Sequence, residues 1–214
     1  MTQAAVVRSP IRLIRQRYET VKRLMDVSVC LALLPAVLVV SAMCAVLFWI
    51  AGGRPILFVQ LRTGRGGRRF KMYKFRTMVA NSEELKQTYA QLNELTWPDF
   101  KVSEDPRVTR VGRLLRRTSL DELPQFLNVL KGEMSLVGPR PTSFAASTYA
   151  LWQTERLEVL PGITGLWQVS GRSDVDFDRR LRMDIEYIAQ RSVWLDLQIL
   201  CRTPMVVFSQ RGAS

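Results

Sequence analysis

The chain has 214 residues, with 31 Lys or Arg against 19 Asp or Glu, a net charge of +12 and a pI near 10.3. That length suits one domain with a small appendage, and the charge demands an anionic partner: nucleic acid, anionic lipid or a phosphorylated substrate. There is no histidine, which excludes the commonest general base and metal ligand, and Cys30, Cys44 and Cys201 have no metal spacing, which predicts a reducing cytosolic setting rather than a disulfide framework.

Residues 10–25 place Ile11, Ile14, Tyr18, Val21 and Met25 on one helical stripe. Arg12, Arg15, Arg17, Lys22 and Arg23 occupy much of the remainder. This predicts a basic amphipathic helix suited to an anionic membrane surface. An RNA-binding arm or a solvated helix would use the same pattern.

Val27–Ala51 holds 25 residues without a charge. It is long enough to span a bilayer and too long for a signal-peptide core. A spanning helix should show charge asymmetry between its flanks. Here both flanks are basic: Arg8 to Arg23 on one side, and eight Lys or Arg with no acid from Arg54 to Arg76 on the other. Pro35 removes a backbone donor about a third of the way along. The combination predicts a broken, re-entrant helix with both ends on the cytosolic side. A Pro-kinked spanning helix is the alternative. Asp26 is expected to pair with Lys22 or Arg23 at the headgroup level.

Pro55–Leu61 and Phe70–Phe75 read as short strands joined through Gly64-Arg65-Gly66-Gly67. No Gly-Lys-Ser/Thr follows, so this is not a Walker A loop. Lys74-Phe75-Arg76 sets two cations around an aromatic. Ser82 to Leu95 predicts a capped helix, Trp97-Pro98 to Asp105-Pro106 a loop, and Val108–Arg117 a short basic helix.

The central stretch runs from Arg116 to Pro141. Leu123, Phe126, Leu127 and Leu130 recur on one helical face, with Gly132 as the expected stop. Ser119 and Glu122 fit a capping box, and Pro124 belongs in a first turn, which places the helix start near Leu120 or Asp121. Asp121 and Glu122 would then sit at a helix N-terminus, with Arg116 and Arg117 just upstream and phosphate favoured nearby. Acidic first turns are also ordinary helix design. Thr142 or Ser143 is expected to cap a helix reaching about Leu160. Gly165–Arg172 reads as irregular, Phe177–Ile188 as an amphipathic helix, and Val193–Phe208 as an apolar tail too short on either side of Pro204 to span.

These elements predict an α+β, mostly helical, monotopic membrane protein: a basic segment over 1–26, a re-entrant helix over 27–51, and a membrane-associated domain over 52–214 with a small β-hairpin and interfacial amphipathic helices. Such a domain can hold a polyphosphate between Arg and Lys side chains and present a carboxylate to it. A carboxylate can attack phosphorus and split one displacement into two. Mg²⁺ suits carboxylate and phosphate oxygens. A non-catalytic basic module binding membrane or nucleic acid would explain the charge but not the Asp-Glu pair.

Lys22-Arg23-x-x-Asp26, Lys74-Phe75-Arg76, Asp105-Pro106-Arg107, Arg116-x-Thr118-Ser119-Leu120-Asp121-Glu122-Leu123-Pro124-Gln125, Gly138-Pro139-Arg140-Pro141 and Pro161-Gly162-Ile163-Thr164-Gly165 together resemble the bacterial sugar transferase family over roughly residues 20–210. The resemblance implies a small monotopic phosphoglycosyl transferase at the cytoplasmic face of the bacterial inner membrane. It implies transfer of a sugar 1-phosphate from a UDP-sugar to undecaprenyl phosphate with release of UMP, and no nucleic-acid partner. By that resemblance Asp121 is the nucleophile, Glu122 is its partner near Mg²⁺, and Arg116 binds phosphate. Lys74, Arg76, Gln125 and Arg140 surround the donor. Trp167-Gln168-Val169-Ser170-Gly171-Arg172-Ser173-Asp174 looks like members using UDP-glucose or UDP-galactose, which points to exopolysaccharide, capsule or O-antigen initiation. An N-acetylated or amino UDP-sugar is the alternative donor.

Overall fold

The computed structural model describes residues 10–51, 54–93, 102, 104–170 and 176–208. The loop from Trp97 and the Gly171-Arg172-Ser173-Asp174 part of the donor-like segment fall largely or wholly outside them.

One long helix leads the chain. Helix α1 runs Pro10–Ile50 with Pro35 inside it. A window within Arg15–Ile50 reaches a mean hydropathy of 2.7. Two apolar contacts tie α1 to the rest of the molecule, one on each side of Pro35. Cys30 is buried with Val129, Met134, Leu136 and Ile199. Cys44, flanked by Val40 and Ala45, packs with Phe75 and Leu115. Between them Leu31, Leu33, Leu38, Val39 and Met43 are 46–62% exposed, so the apolar middle has no protein cover.

The polar face near residues 18–26 does not face outward. Asp196 is fully buried and accepts from Lys22 Nζ at 2.8 Å, Tyr18 Oη at 2.9 Å and Tyr187 Oη at 2.6 Å. Arg23 donates to the carbonyls of Val129 and Leu130 at 2.6 and 2.8 Å. Asp26 is buried and accepts from the Leu136 N–H at 3.1 Å. The expected Asp26 pair with Lys22 or Arg23 is therefore wrong. A Lys preceding an Asp by four is the weaker orientation on a helix, and a buried carboxylate and open helix carbonyls bind these cations better. Lys22, Arg23 and Asp26 dock α1 rather than touch headgroups.

Strands β1 (Leu57–Thr63) and β2 (Arg69–Phe75) pair antiparallel, Leu57 opposite Phe75 and Thr63 opposite Arg69. Gly66 and Gly67 take φ of 65° and 76° in the connection, as the glycine-rich turn predicts. Helix α2 is only Leu85–Thr88, shorter than predicted. Ser82 does not cap it; the Ser82 carbonyl instead accepts from Arg107 Nη1 at 3.1 Å, and Arg107 is clamped by Asp105 at 2.7 Å.

Helix α3 (Arg110–Arg117) is capped by Thr109, whose Oγ1 accepts from the Gly112 N–H at 2.9 Å. Gly112 lets α3 lie on the backbone after β2: a Cβ there would meet Thr77 O at 2.0 Å. Gly112→Ala is therefore expected to destabilise by about 1–3 kcal/mol or more, as overpacking does, read as a lower thermal midpoint. Activity should fall beyond the stability loss, because Thr77 Oγ1 accepts from Arg116 Nε at 2.9 Å.

The central stretch departs from its predicted form. Ser119 has φ 56° and makes no capping bond. A capping residue needs extended backbone, and Glu122 is engaged elsewhere. A 3₁₀ turn covers Leu120–Gln125, and helix α4 begins only at Phe126, running to Lys131. Gly132 stops it at φ 79°, as predicted.

Strand β3 (Ser135–Val137) pairs parallel with β4 (Gly162–Thr164). No helix starts at Thr142: its carbonyl accepts from the Thr63 N–H at 2.9 Å, and 3₁₀ turns at Ala146–Thr148 and Leu151–Glu158 follow. Helix α5 (Leu166–Ser170) occupies a stretch read as irregular. Its single turn is hydrogen-bonded back to the Gly165 carbonyl by the Val169 N–H at 3.3 Å. Helix α6 (Phe177–Gln190) is capped by Asp176 and buries Leu181 and Ile188, as its periodicity predicts. Helix α7 (Val193–Phe208) continues through Pro204, buries Ile199 and exposes Trp194 and Met205.

Candidate active site

The 3₁₀ turn Leu120–Gln125 divides its side chains between two tasks. Leu120 and Leu123 pack on the cluster of Cys44, Phe75 and Leu115, which α1 joins through Val40 and Ala45. Asp121 and Glu122 line a cavity of about 450 Å³ instead. The carboxylates thus sit one residue layer from the apolar helix.

Strand alternation builds the facing wall. Phe58, Gln60 and Arg62 line the cavity, while Leu57, Val59 and Leu61 between them are exposed on the other face. Lys74, paired with Phe58 across the hairpin, reaches the carboxylates. Arg116 enters from the last turn of α3, and Arg140 from the segment after β3. Trp167, Gln168 and Arg180 complete the lining. Arg156 Nη2 holds the Arg140 carbonyl at 2.6 Å while paired with buried Asp184, also at 2.6 Å.

The two carboxylates are not equivalent. Glu122 Oε1 accepts from Lys74 Nζ at 2.7 Å and Arg140 Nη2 at 2.6 Å. Burial works to raise its pKa, but Arg140 and then Lys74 override that and hold it well below the usual carboxylate range. Asp121 Oδ2 lies 3.9 Å from Lys74 Nζ. Burial raises its pKa, and the neighbouring Glu122 charge adds to this, against Lys74, Arg116 and Arg140. Environments that push two adjacent carboxyls apart assign them different roles. The sequence predicts a positive field from a helix N-terminus together with Arg116 and Arg117 just upstream. With only a 3₁₀ turn there, that field comes from Lys74, Arg116 and Arg140, whose lowering of the Asp121 pKa is outweighed by burial.

The other expected residues fall as follows. Arg76 is at the rim, donating to Pro55 O at 3.1 Å with its guanidinium 5.6 Å from the Phe58 ring centroid. Gln125 is 2% exposed and is not among the residues that line the cavity. Pro35 is not among the cavity-lining residues. Arg62, Gln60 and Phe58 escaped sequence reasoning, although strand period would have grouped them. Burial and then the Arg140 charge lower the Arg62 guanidinium to about 10, so it stays charged at neutral pH.

Among the described residues no third Asp, Glu, His or Cys joins Asp121 and Glu122 in a ligand cluster. Mg²⁺ commonly binds through one or two carboxylates plus substrate phosphates. The site fits that pattern through Asp121 foremost, because Lys74 and Arg140 already occupy Glu122. A cluster of cations around two carboxylates, in a cavity of small-ligand size, suits a diphosphate.

A sequence model for the family described as bacterial sugar transferase matches residues 17–210. The chain is 48% identical over 163 residues to a galactosyl transferase, CpsE, of Streptococcus agalactiae, covering 75% of this chain and 36% of that protein. It is 49% identical over 166 residues to an undecaprenyl-phosphate galactose phosphotransferase of Salmonella typhimurium, covering 75% and 35%. It is 38% identical over 197 residues to the exopolysaccharide production protein ExoY of Sinorhizobium fredii, covering 90% and 87%. The chain thus spans about a third of the length of the first two and most of the third.

Proposed function

The chain belongs to the bacterial sugar transferase family, and on that premise we propose that it is a phosphoglycosyl transferase. It moves a hexose 1-phosphate, glucose or galactose, from a UDP-sugar to undecaprenyl phosphate and releases UMP. The reaction would start exopolysaccharide, capsule or O-antigen synthesis at the cytoplasmic face of the inner membrane. The observation that carries this reading is the pairing of Asp121 with a Glu122 already neutralised by Lys74 and Arg140, on the floor of a cation-lined cavity.

Asp121 attacks the sugar-bearing β-phosphorus of the donor. A carboxylate oxygen–phosphorus bond forms, the bridging oxygen–phosphorus bond breaks, and the electron pair leaves on UMP. An oxygen of the acceptor phosphate then attacks the same phosphorus. The acyl phosphate breaks, Asp121 regains its charge, and a pyrophosphate links lipid and sugar. Arg116, Arg62 and Arg140 bind phosphate oxygens, and Lys74 and Arg140 keep Glu122 in place. Mg²⁺, held by Asp121 with the donor phosphates, would supply charge neutralisation when bound. Splitting the displacement avoids bringing two anions together at one phosphorus.

UMP release from a panel of UDP-sugars tests the reading. UDP-glucose or UDP-galactose should support release in the presence of undecaprenyl phosphate. Release only with N-acetylated or amino sugars would change the donor class, and none with any donor would return the binding-module reading.

Arg116→Ala is expected to lower kcat/KM roughly ten- to over a hundredfold, the loss of a charge-assisted phosphate contact of about 1.5–3 kcal/mol. Arg116→Lys should recover part, lacking the guanidinium fork. Steady-state kinetics decides, and full activity in Arg116→Ala would remove it from the site.

Both halves of α1 pack on one domain on either side of an exposed apolar middle, which supports a monotopic, re-entrant insertion. Gln16→Cys and Arg54→Cys, in a background without native cysteines, should label only from the cytosolic side. Labelling of either from the periplasm would defeat that topology.

A further inference from the structure

A second, smaller cleft opens off the catalytic cavity. It has a volume of about 110 Å³ and is walled by Leu123, Phe126, Ile163, Val169, Val206 and Val207. Ser119, Glu122 and Gln168 line both spaces. We propose that this cleft, between the 3₁₀ turn and α7, holds the isoprenoid chain of the acceptor beside its phosphate. The proposal rests on the transferase reading and locates a substrate that reading leaves unplaced.

Three observations carry it. First, the groove changes character at Glu122. On one side stand Lys74, Arg116 and Arg140, and on the other apolar walls. An anionic head on an apolar chain satisfies both, and a UDP-sugar, polar at both ends, satisfies only the first. Secondly, the two threonines that line the cleft, Thr164 and Thr203, are already satisfied. Thr203 Oγ1 donates to Ile199 O at 2.8 Å and lies 2.9 Å from Thr164 Oγ1. These threonines therefore leave no hydrogen bond that an isoprenoid would have to meet, and Gln168 Oε1, which has no partner among the described residues, belongs to the side chains shared with the polar cavity. Thirdly, the walls continue into apolar outer surfaces. Met205, next to Val206, is 65% exposed, and Leu127, next to Phe126, is 50% exposed. A chain entering from lipid stays against apolar surface until its phosphate reaches Glu122. Leu123 belongs to the same 3₁₀ turn as Asp121, so a phosphate at the mouth lies next to the attacked phosphorus.

The test uses the wild-type protein in nanodiscs with a polyprenyl phosphate bearing a diazirine in the isoprene nearest the phosphate. After irradiation, mass spectrometry should find labels at 123–126 and 206–207. Excess unlabelled polyprenyl phosphate should suppress them, and phosphatidylglycerol should not. Labels confined to residues 31–43 of α1, or cleft labels that phosphatidylglycerol suppresses equally, would overturn the proposal; the second result would mean an ordinary acyl chain. Val206→Trp, which fills the cleft, should raise the acceptor KM about tenfold with the donor KM within twofold, and an unchanged acceptor KM would also overturn it. Failure of the transferase reading is separately visible, as wild-type protein that releases no UMP whatever the label pattern.

Discussion

Asp121→Asn is expected to cut turnover at least about a thousandfold, as removal of a nucleophile does, while making the donor-free protein more stable at neutral pH. The first half follows from the chemistry: Asn keeps the shape and hydrogen-bonding reach but cannot form the acyl phosphate. Donor binding should persist, because Arg116, Arg62 and Arg140 remain. The second half follows from the raised Asp121 pKa, caused first by burial and then by Glu122. A carboxyl with a folded pKa above its unfolded value, near 4, stabilises below that unfolded value. The contribution is lost as pH rises through the folded pKa. At neutral pH the ionised group therefore opposes folding, and Asn removes that opposition. Thermal midpoints across pH check it: the advantage should grow on going to neutral pH and shrink in acid. Sustained turnover by the variant, or lower stability at neutral pH, would contradict the account.

Glu122→Gln should leave slow catalysis, lowered roughly a hundredfold or more, with a shifted pH profile. Removing this charge strands Lys74 and Arg140. Breaking a buried pair costs about 3–5 kcal/mol, and the lower end applies because the Arg140 side chain is 34% exposed. The same change removes the like charge that helps raise the Asp121 pKa and frees Lys74 to face it. Wild-type activity should fall as acid protonates Asp121, at a pH above the ordinary carboxylate range. In Glu122→Gln that acid limb should move to lower pH although the plateau is lower. A limb that stays in place would mean Glu122 does not set the Asp121 proton affinity.

Local signals were legible in the sequence. Alternation and glycines announced the hairpin, Gly132 the stop of α4, and the period of residues 177–188 the helix α6. The Asp-Glu pair, Arg116, Lys74 and Arg140 were all recognised, and they converge on one cavity. What failed depended on distant partners. Asp196, 170 or more residues from Tyr18 and Lys22, decides where Lys22 points, and no spacing rule near residue 22 contains it. Ser119 looked like a cap because its type and spacing were right, yet its left-handed backbone is set by how α3 and the 3₁₀ turn pack. Thr142 likewise looked like a helix start and is spent on Thr63. Arg62 was hidden in a strand whose cavity-facing side is fixed by tertiary contact. Burial of Asp121, which raises its pKa against the cations around it, is a property of the assembled site.

The covalent step proposed for Asp121 can be observed by mass. Intact-protein mass spectrometry after brief incubation with UDP-glucose or UDP-galactose and Mg²⁺, without acceptor, tests it most directly. Wild type should carry an adduct of one sugar phosphate, released by polyprenyl phosphate and absent from Asp121→Asn. An active enzyme that forms no adduct, and frees UMP only when both substrates are bound, would contradict it.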